Sequence, residues 1–164
     1  MTAPQQAPTS AGFVLGPDEG DAFHWLGSLT LTKLGASRTA GGLSIVDHRV
    51  PPGYAPPAHQ HRDDEAFYVL EGDFHIRCGD QAWAAGPQSL VFLPRDVPHG
   101  FTVSQDGPGR TLLILAPGGF DELVRELGTP TDELRLPGPD VPVPTRARLD
   151  AAATAHGITP VPGF

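Results

Sequence analysis

Two histidines one residue apart, with a glutamate four residues beyond the second, constrain this chain more than any other feature. Side chains alternate along a β-strand, so His59 and His61 point to one face only where the backbone is extended. Glu65 keeps the even spacing, and His99, about 35 residues further on, can complete the group from a second strand. Three imidazoles and a carboxylate suit a divalent transition metal such as Fe, Ni, Mn, Cu or Zn. We therefore predict one such metal per chain, held by these four side chains.

The residues around this group follow a longer pattern. It reads Gly53-x5-His59-x-His61-x3-Glu65-x6-Gly72, and it resembles, position for position, the first motif of the cupin family. The segment Pro94-Arg95-Asp96-Val97-Pro98-His99 resembles the second cupin motif, Pro-x-Gly-x2-His. This resemblance implies an all-β fold, the cupin double-stranded β-helix or jelly-roll barrel.

The second segment departs from the family pattern at three positions. Gln88 at its start and Asp96 near its middle stand where the family usually has glycine, and Val103 stands where asparagine is common. All four ligand positions are kept. Aspartate tolerates a positive φ at a turn, so we expect Asp96 to replace glycine in the turn before His99.

Size and charge favour one globular domain that acts on a small molecule. The chain has 164 residues and a formal net charge of −8, from 11 basic and 19 acidic side chains. This acidity argues against a nucleic-acid or anionic-membrane surface, and no apolar run approaches the ~20 residues of a membrane-spanning helix. Cys78 is the only cysteine, so no internal disulfide is possible. Residues 1–12 lack the basic start and apolar stretch of a signal peptide, and we expect a cytoplasmic protein.

Short strands separated by turns rich in glycine and proline account for the middle of the chain. Such strands at short intervals, without alternating helices, are typical of a sandwich or barrel. We predict strands over residues 22–34, 42–50, 57–62, 65–71, 74–78, 81–84, 89–93, 99–104 and 110–116.

The last third of the chain changes character. Apolar residues at helical spacing predict a helix over residues 120–127, which Gly128 ends. Residues 130–144 are rich in proline and read as an extended connector. Thr145 can cap a last helix that runs to His156. We therefore divide the chain into a flexible tail (1–12), a β-barrel (13–117) and a helical extension packed on the barrel (118–164).

Four apolar residues share the strand parity of the predicted ligands. Phe67 and Val69 follow Glu65 at even spacing, and Phe101 and Val103 follow His99. They are expected to face the barrel interior, where they either line a substrate pocket around the metal or belong to the core. Glu65 is either a ligand alone or a ligand that also acts as general base, the catalytic role predicted here. The remaining histidines, His24, His48, His75 and His156, are interpreted as ordinary surface or core residues.

Within the cupins, the chain is similar to small single-domain quercetin 2,3-dioxygenase-like proteins. The similarity lies in Trp25-Leu26-Gly27, in residues 52–57, 65–72, 92–99 and 117–120, and in Ala155-His156-Gly157-Ile158. It implies a metal-dependent dioxygenase: a flavonol-like enol binds the metal, Glu65 takes its hydroxyl proton, and dioxygen opens the ring with loss of carbon monoxide. The alternatives are a metal-dependent isomerase, cyclase or lyase that works without oxygen, and a non-catalytic small-molecule-binding cupin.

The predicted strand 110–116 is apolar on both faces. Exposed apolar faces mark interaction sites, and most homo-oligomers are two-fold dimers. We therefore expect a homodimer whose other partners are a small-molecule substrate and, for a dioxygenase, dioxygen.

Overall fold

The computed structural model describes residues 11–164, so residues 1–10 of the predicted tail lie outside the described residues. Twelve strands form in this part of the chain. They are β1 (Asp21–Trp25), β2 (Ser28–Leu34), β3 (Ser44–Val50), β4 (His59–Gln60), β5 (Asp64–Glu71), β6 (Phe74–Cys78), β7 (Gln81–Ala85), β8 (Leu90–Leu93), β9 (His99–Val103), β10 (Gly109–Ala116), β11 (Thr129–Pro130) and β12 (Thr159–Pro160). A short 3₁₀ helix, Ala36–Thr39, links β2 to β3.

Two antiparallel sheets make up the barrel. The larger sheet has the order β11-β1-β2-β3-β10-β5-β8 and the smaller one the order β12-β4-β9-β6-β7. Several neighbours in the sheets, such as β3 and β10, β5 and β8, and β4 and β9, are distant in sequence, which is the strand exchange of a jelly roll. The all-β jelly-roll class predicted from the sequence is confirmed.

Alternation of buried and exposed side chains gives each sheet an inner face. On β6, Phe74, Ile76 and Cys78 are buried while His75 and Arg77 are exposed. The inner faces of both sheets supply one core cluster, whose members include Val46, Phe67, Val69, Phe74, Ile76, Val103 and Leu113. The core therefore fills the space between the sheets.

Two predicted strands differ from the observed ones. The predicted strand 22–34 is a hairpin, because Leu26 and Gly27 both take positive φ, 46° and 82°, and reverse the chain. The predicted strand 57–62 shortens to His59–Gln60. Pro56 and Pro57 have no N–H to donate to a ladder, which ends the pairing on that side.

The helical extension contributes to both sheets as well as packing on them. Helix α1 (Phe120–Leu127) and helix α2 (Arg146–Ala155) are both present, and the Thr145 hydroxyl caps α2 by accepting from the Arg148 N–H at 3.3 Å. Strand β11 adds to β1, and β12 adds to β4. The sequence analysis missed these two-residue strands because each ends on a proline in a loop-like stretch. No helix in residues 11–164 is long and apolar enough to cross a membrane.

Apolar residues also cover the outside of the larger sheet. We call Tyr68, Leu70, Leu90 and Phe92 the outer apolar face; they lie on neighbouring strands and are 37–67% exposed. Next to them on β10, the alternate residues Leu112 and Ile114 are half-buried. The sheet is thus buried on its inner side and apolar over β5, β8 and part of β10 on its outer side.

Candidate metal centre

The four predicted ligands come together from both sheets. His59 on β4 lies directly across from His99 on β9 in the smaller sheet, His61 follows β4, and Glu65 lies on β5 of the larger sheet. Their candidate ligand atoms all lie within 4.8 Å of one another. The chain bends at residues 62–63 between His61 and Glu65. Glu65 therefore reaches the group from a strand of the other sheet, in agreement with the separate predicted strands 57–62 and 65–71, and not through the even spacing that it shares with His59 and His61.

Each imidazole in this group is oriented by a backbone carbonyl. His59 Nδ1 lies 2.9 Å from the Pro57 oxygen, His61 Nδ1 lies 3.0 Å from the Asp63 oxygen, and His99 Nδ1 lies 2.9 Å from the Val97 oxygen. A carbonyl can only accept, so each Nδ1 donates its proton and each Nε2 is left free for a ligand. This is the orientation that metal-binding histidines require.

Without a cation, the nitrogen and oxygen atoms that converge on the centre either repel one another or lack a hydrogen-bond partner. His99 Nε2 is buried and has no hydrogen-bond partner among the described residues. His61 Nε2 lies 3.0 Å from Glu65 Oε2, and His99 Nε2 lies 3.7 Å from the same oxygen. Two lone pairs at 3.0 Å repel, so the His61–Glu65 pair must share either a proton or a metal ion. The donor set fits a divalent transition metal.

Burial and mutual charge shift the pKa values in opposite directions across the group. Burial disfavours the charged form of both His61 and Glu65, but their hydrogen bond and opposite charges outweigh it, raising the pKa of His61 and lowering that of Glu65. Burial lowers the pKa of His99. Glu65 is therefore ionised at neutral pH and His99 is neutral, which are the states that bind a metal.

The turn before His99 holds the neighbouring ligand segments in place. Asp96 has a φ of 61° and its N–H donates to the His61 carbonyl at 2.8 Å. The prediction that Asp96 adopts the glycine conformation is confirmed, and Gln88 does the same with a φ of 70°. Arg95 forms a two-pronged ion pair with Asp64, at 3.1 and 2.6 Å. This pair ties the turn before His99 to the residue that precedes Glu65.

A cavity of about 180 Å³ opens beside the four side chains. Its apolar wall comes from both sheets and from α1, and α2 supplies a further side with Leu149 and Ala153. Four aromatic side chains line it: Trp25, Tyr54, Phe101 and Phe120. The arrangement can bind a flat apolar molecule with one end next to the metal-ligating group.

Only one of the predicted pocket residues lines this cavity. Phe101 does so, whereas Phe67, Val69 and Val103 lie in the core cluster with at most 1% exposure. For those three the structure gives the second of the two interpretations, core packing, because they lie deeper between the sheets than the ligands. Strand parity correctly predicts that all four side chains face inwards, but it does not predict how far between the sheets each one lies.

Several residues of the cavity are not among the predicted pocket residues. His48 lies on the inner face of β3 and lines the cavity together with Tyr54, although it was interpreted as an ordinary histidine. Its even spacing with the buried Val46 and Val50 was the available signal. Asp63, in the bend between His61 and Glu65, also lines the cavity, and burial raises its pKa.

Comparison with known proteins supports the same family. Residues 46–115 match the model of the cupin domain family. The fold resembles KdgF from Halomonas sp., with a TM-score of 0.59 at 17% identity over 69% of this chain and 99% of that one. It also resembles a RmlC-like cupin from Shewanella frigidimarina NCIMB 400, with a TM-score of 0.56 at 18% identity over 68% and 96% of the two chains. Residues 46–115 are therefore similar to the cupin domain, and the histidine and glutamate group that could bind a metal ion lies within this segment.

The similar structures differ in what they are named for. The polyketide cyclase RemF from Streptomyces resistomycificus has a TM-score of 0.50 at 22% identity over 70% of this chain and 80% of that one. At this level of identity the likeness extends to the fold alone. The comparison with curated proteins found no matching sequence.

Proposed function

We propose that the protein is a metal-dependent dioxygenase that opens an enolic aromatic ring of the flavonol type. The observation that carries the proposal is the convergence of three free imidazole nitrogens and the Glu65 carboxylate within 4.8 Å, beside an apolar cavity. Support for an aromatic substrate comes from the aromatic side chains that line the cavity. The metal ligands would be His59, His61, Glu65 and His99.

Glu65 is the residue proposed to move a proton. It is ionised because the neighbouring histidines lower its pKa, and it lies at the edge of the cavity that would hold the enol. A carboxylate in that position can accept the proton of the enol hydroxyl as general base. When bound, a divalent metal would polarise the enol oxygen and favour loss of that proton.

The walls of the cavity would hold the substrate and exclude water. Leu93, Leu113 and Leu115 carry no polar side-chain atoms, and Phe101 packs against Tyr54 with ring centroids 6.2 Å apart. A ring held there lies in fixed orientation beside Glu65, which favours reaction through proximity. Dioxygen would then add to the deprotonated ring, which opens with release of carbon monoxide.

The test is oxygen uptake together with carbon monoxide release by metal-loaded protein given flavonols. Glu65→Gln should lower turnover by at least ~10²-fold, the usual effect of removing a general base. Glu71→Gln is the matched control, since Glu71 is an exposed glutamate on the same strand. If fully metal-loaded Glu65→Gln turns over as fast as the wild type, Glu65 is not the general base. An oxygen concentration that stays constant with every enol tested would contradict the dioxygenase proposal.

A second candidate is a cyclase, isomerase or lyase that uses the metal only as a Lewis acid. It is favoured by the fold that this chain shares with the polyketide cyclase RemF. Conversion of an enolic aromatic substrate under strict anaerobiosis, at the aerobic rate, would select this candidate.

A further inference from the structure

His48 presents a second polar atom to the cavity beside the candidate metal centre. It lies on β3, whose inner face turns towards the barrel interior, and its side chain is 5% exposed. The ring packs edge-on against Tyr54, with centroids 5.8 Å apart. Both residues line the cavity, but neither belongs to the metal-ligating group.

A short chain of hydrogen bonds fixes which nitrogen of His48 carries the proton. Ser28 Oγ lies 2.5 Å from the Trp25 carbonyl oxygen, which can only accept, so the single hydroxyl proton of Ser28 is used there. His48 Nε2 lies 2.9 Å from the same Ser28 oxygen. Ser28 must therefore accept from His48, and Nε2 carries the proton.

The other ring nitrogen of His48 is then a free acceptor. Burial lowers the pKa of His48 to about 4, so the ring is neutral at physiological pH and Nδ1 keeps its lone pair. Within residues 11–164, Nδ1 has no hydrogen-bond partner, and it does not belong to the fully enclosed polar atoms that lack one. It is therefore reached from the cavity that the ring lines.

An acceptor of this kind in an apolar cavity selects among ligands. Leu113 and Phe101 are among the apolar side chains of the same cavity, and the hydroxyl of the neighbouring Tyr54 is engaged by Ser28. A ligand that brings a hydroxyl or N–H to Nδ1 forms a hydrogen bond away from water, whereas a ligand without a donor leaves the nitrogen unpaired.

We propose that His48 Nδ1 accepts a hydrogen bond from the body of the substrate and so determines specificity. The expected ligands are apolar aromatic molecules that carry a hydroxyl or N–H donor in addition to the enol that meets the metal-ligating group. The term substrate rests on the proposed function, but the acceptor itself rests only on the Trp25–Ser28–His48 hydrogen bonds and the cavity.

The first test determines the tautomer of His48 and uses small ligands whose binding requires neither a metal nor catalysis. ¹⁵N NMR of the whole protein should show His48 as the neutral Nε2–H tautomer, with an unbonded Nδ1. Phenol, which has a donor, should shift the Nδ1 resonance, and anisole, which lacks one, should not. Phenol should also bind more tightly than anisole, by about the tenfold that one hydrogen bond contributes.

Variants separate this role from a structural one. His48→Phe keeps a ring of similar size and should abolish the preference for phenol. His24→Phe is the matched control, because His24 is also buried and donates to the Arg135 carbonyl at 3.0 Å but does not line this cavity. If His48→Phe does not fold, Ser28→Ala serves instead. This variant keeps the imidazole but removes the acceptor that favours the Nε2–H tautomer, so part of the population should carry the proton on Nδ1.

The outcomes also distinguish this proposal from the proposed function. The proposal that His48 Nδ1 is an acceptor would be overturned by any of three results. These are a wild-type His48 in the Nδ1–H form, equal binding of phenol and anisole, and binding of neither compound. If phenol behaves as expected but no flavonol is converted, the acceptor stands and the dioxygenase proposal fails. If flavonols are converted and His48→Phe discriminates between donor and donor-free analogues as well as the wild type does, the acceptor proposal fails alone.

Discussion

Metal binding by this protein should release about one proton. The three Nδ1 protons of His59, His61 and His99 are held by backbone carbonyls and remain in place when a metal binds. At a pH below the raised pKa of His61, one further proton lies in the centre, between His61 Nε2 and Glu65 Oε2 at 3.0 Å, where it removes the repulsion between the two lone pairs. A metal ion that takes both atoms must displace that proton.

The displacement of one proton determines how metal affinity depends on pH. The pKa of His61 is raised by Glu65, so the centre holds its proton to a higher pH than an isolated histidine would. Below that raised pKa the metal competes with the proton, and affinity should fall about tenfold, or about 1.4 kcal/mol, for each pH unit. Above it, affinity should no longer depend on pH.

Titration calorimetry with Zn²⁺ in two buffers of different ionisation enthalpy measures the proton count directly. Glu65→Gln should release far less than one proton, since an amide N–H can donate to His61 Nε2 and no shared proton is needed. Glu71→Gln should release as much as the wild type. Stoichiometric binding with no proton released would refute the shared proton between His61 and Glu65. Release of about three protons would mean that all three imidazoles are charged before the metal binds, which would equally contradict the expected count.

Three further predictions concern assembly and stability. Phe92→Asp, on the outer apolar face, should convert a proposed homodimer into a monomer in sedimentation experiments; a monomeric wild type would contradict the dimer. Asp47→Ala should lower the free energy of unfolding by about 1.5–3 kcal/mol in urea titrations, because the buried Asp47 carboxylate binds Arg49 and Arg110; Arg110 would lose this partner and Arg49 would keep only the exposed Asp18. Burial opposes the charge on Asp47, but the two guanidinium groups outweigh it and lower its pKa. Its stabilisation should therefore be present above its ordinary pKa near ~4 and lost as the pH falls through the lowered value, and an acid transition identical in the variant would contradict this. Gly72→Ala should cost about 1–3 kcal/mol, since Gly72 has a φ of 84° and its Cβ would strike a neighbouring carbonyl; an unchanged melting temperature would count against it.

Local spacing was enough to predict the ligands and most strands. The alternation on β6 and the turn residues around it gave strand bounds of 74–78 that the structure reproduces. The second motif was readable although glycine is missing, because Asp96 can take the positive φ that its turn requires. The four ligand positions follow from residue type at fixed intervals, which is information that lies in the chain itself.

The tertiary structure decided how those residues meet and what surrounds them. Glu65 reaches the histidines because the chain bends and crosses to the other sheet, and α2 borders the cavity although it begins about 80 residues after Glu65. Phe67 lies in the core and His48 lines the cavity, and strand parity gives both the same inner face. Periodicity fixes the direction of a side chain relative to its own strand. Depth in the barrel and neighbours from distant segments depend on how the sheets pack, which only the folded chain determines.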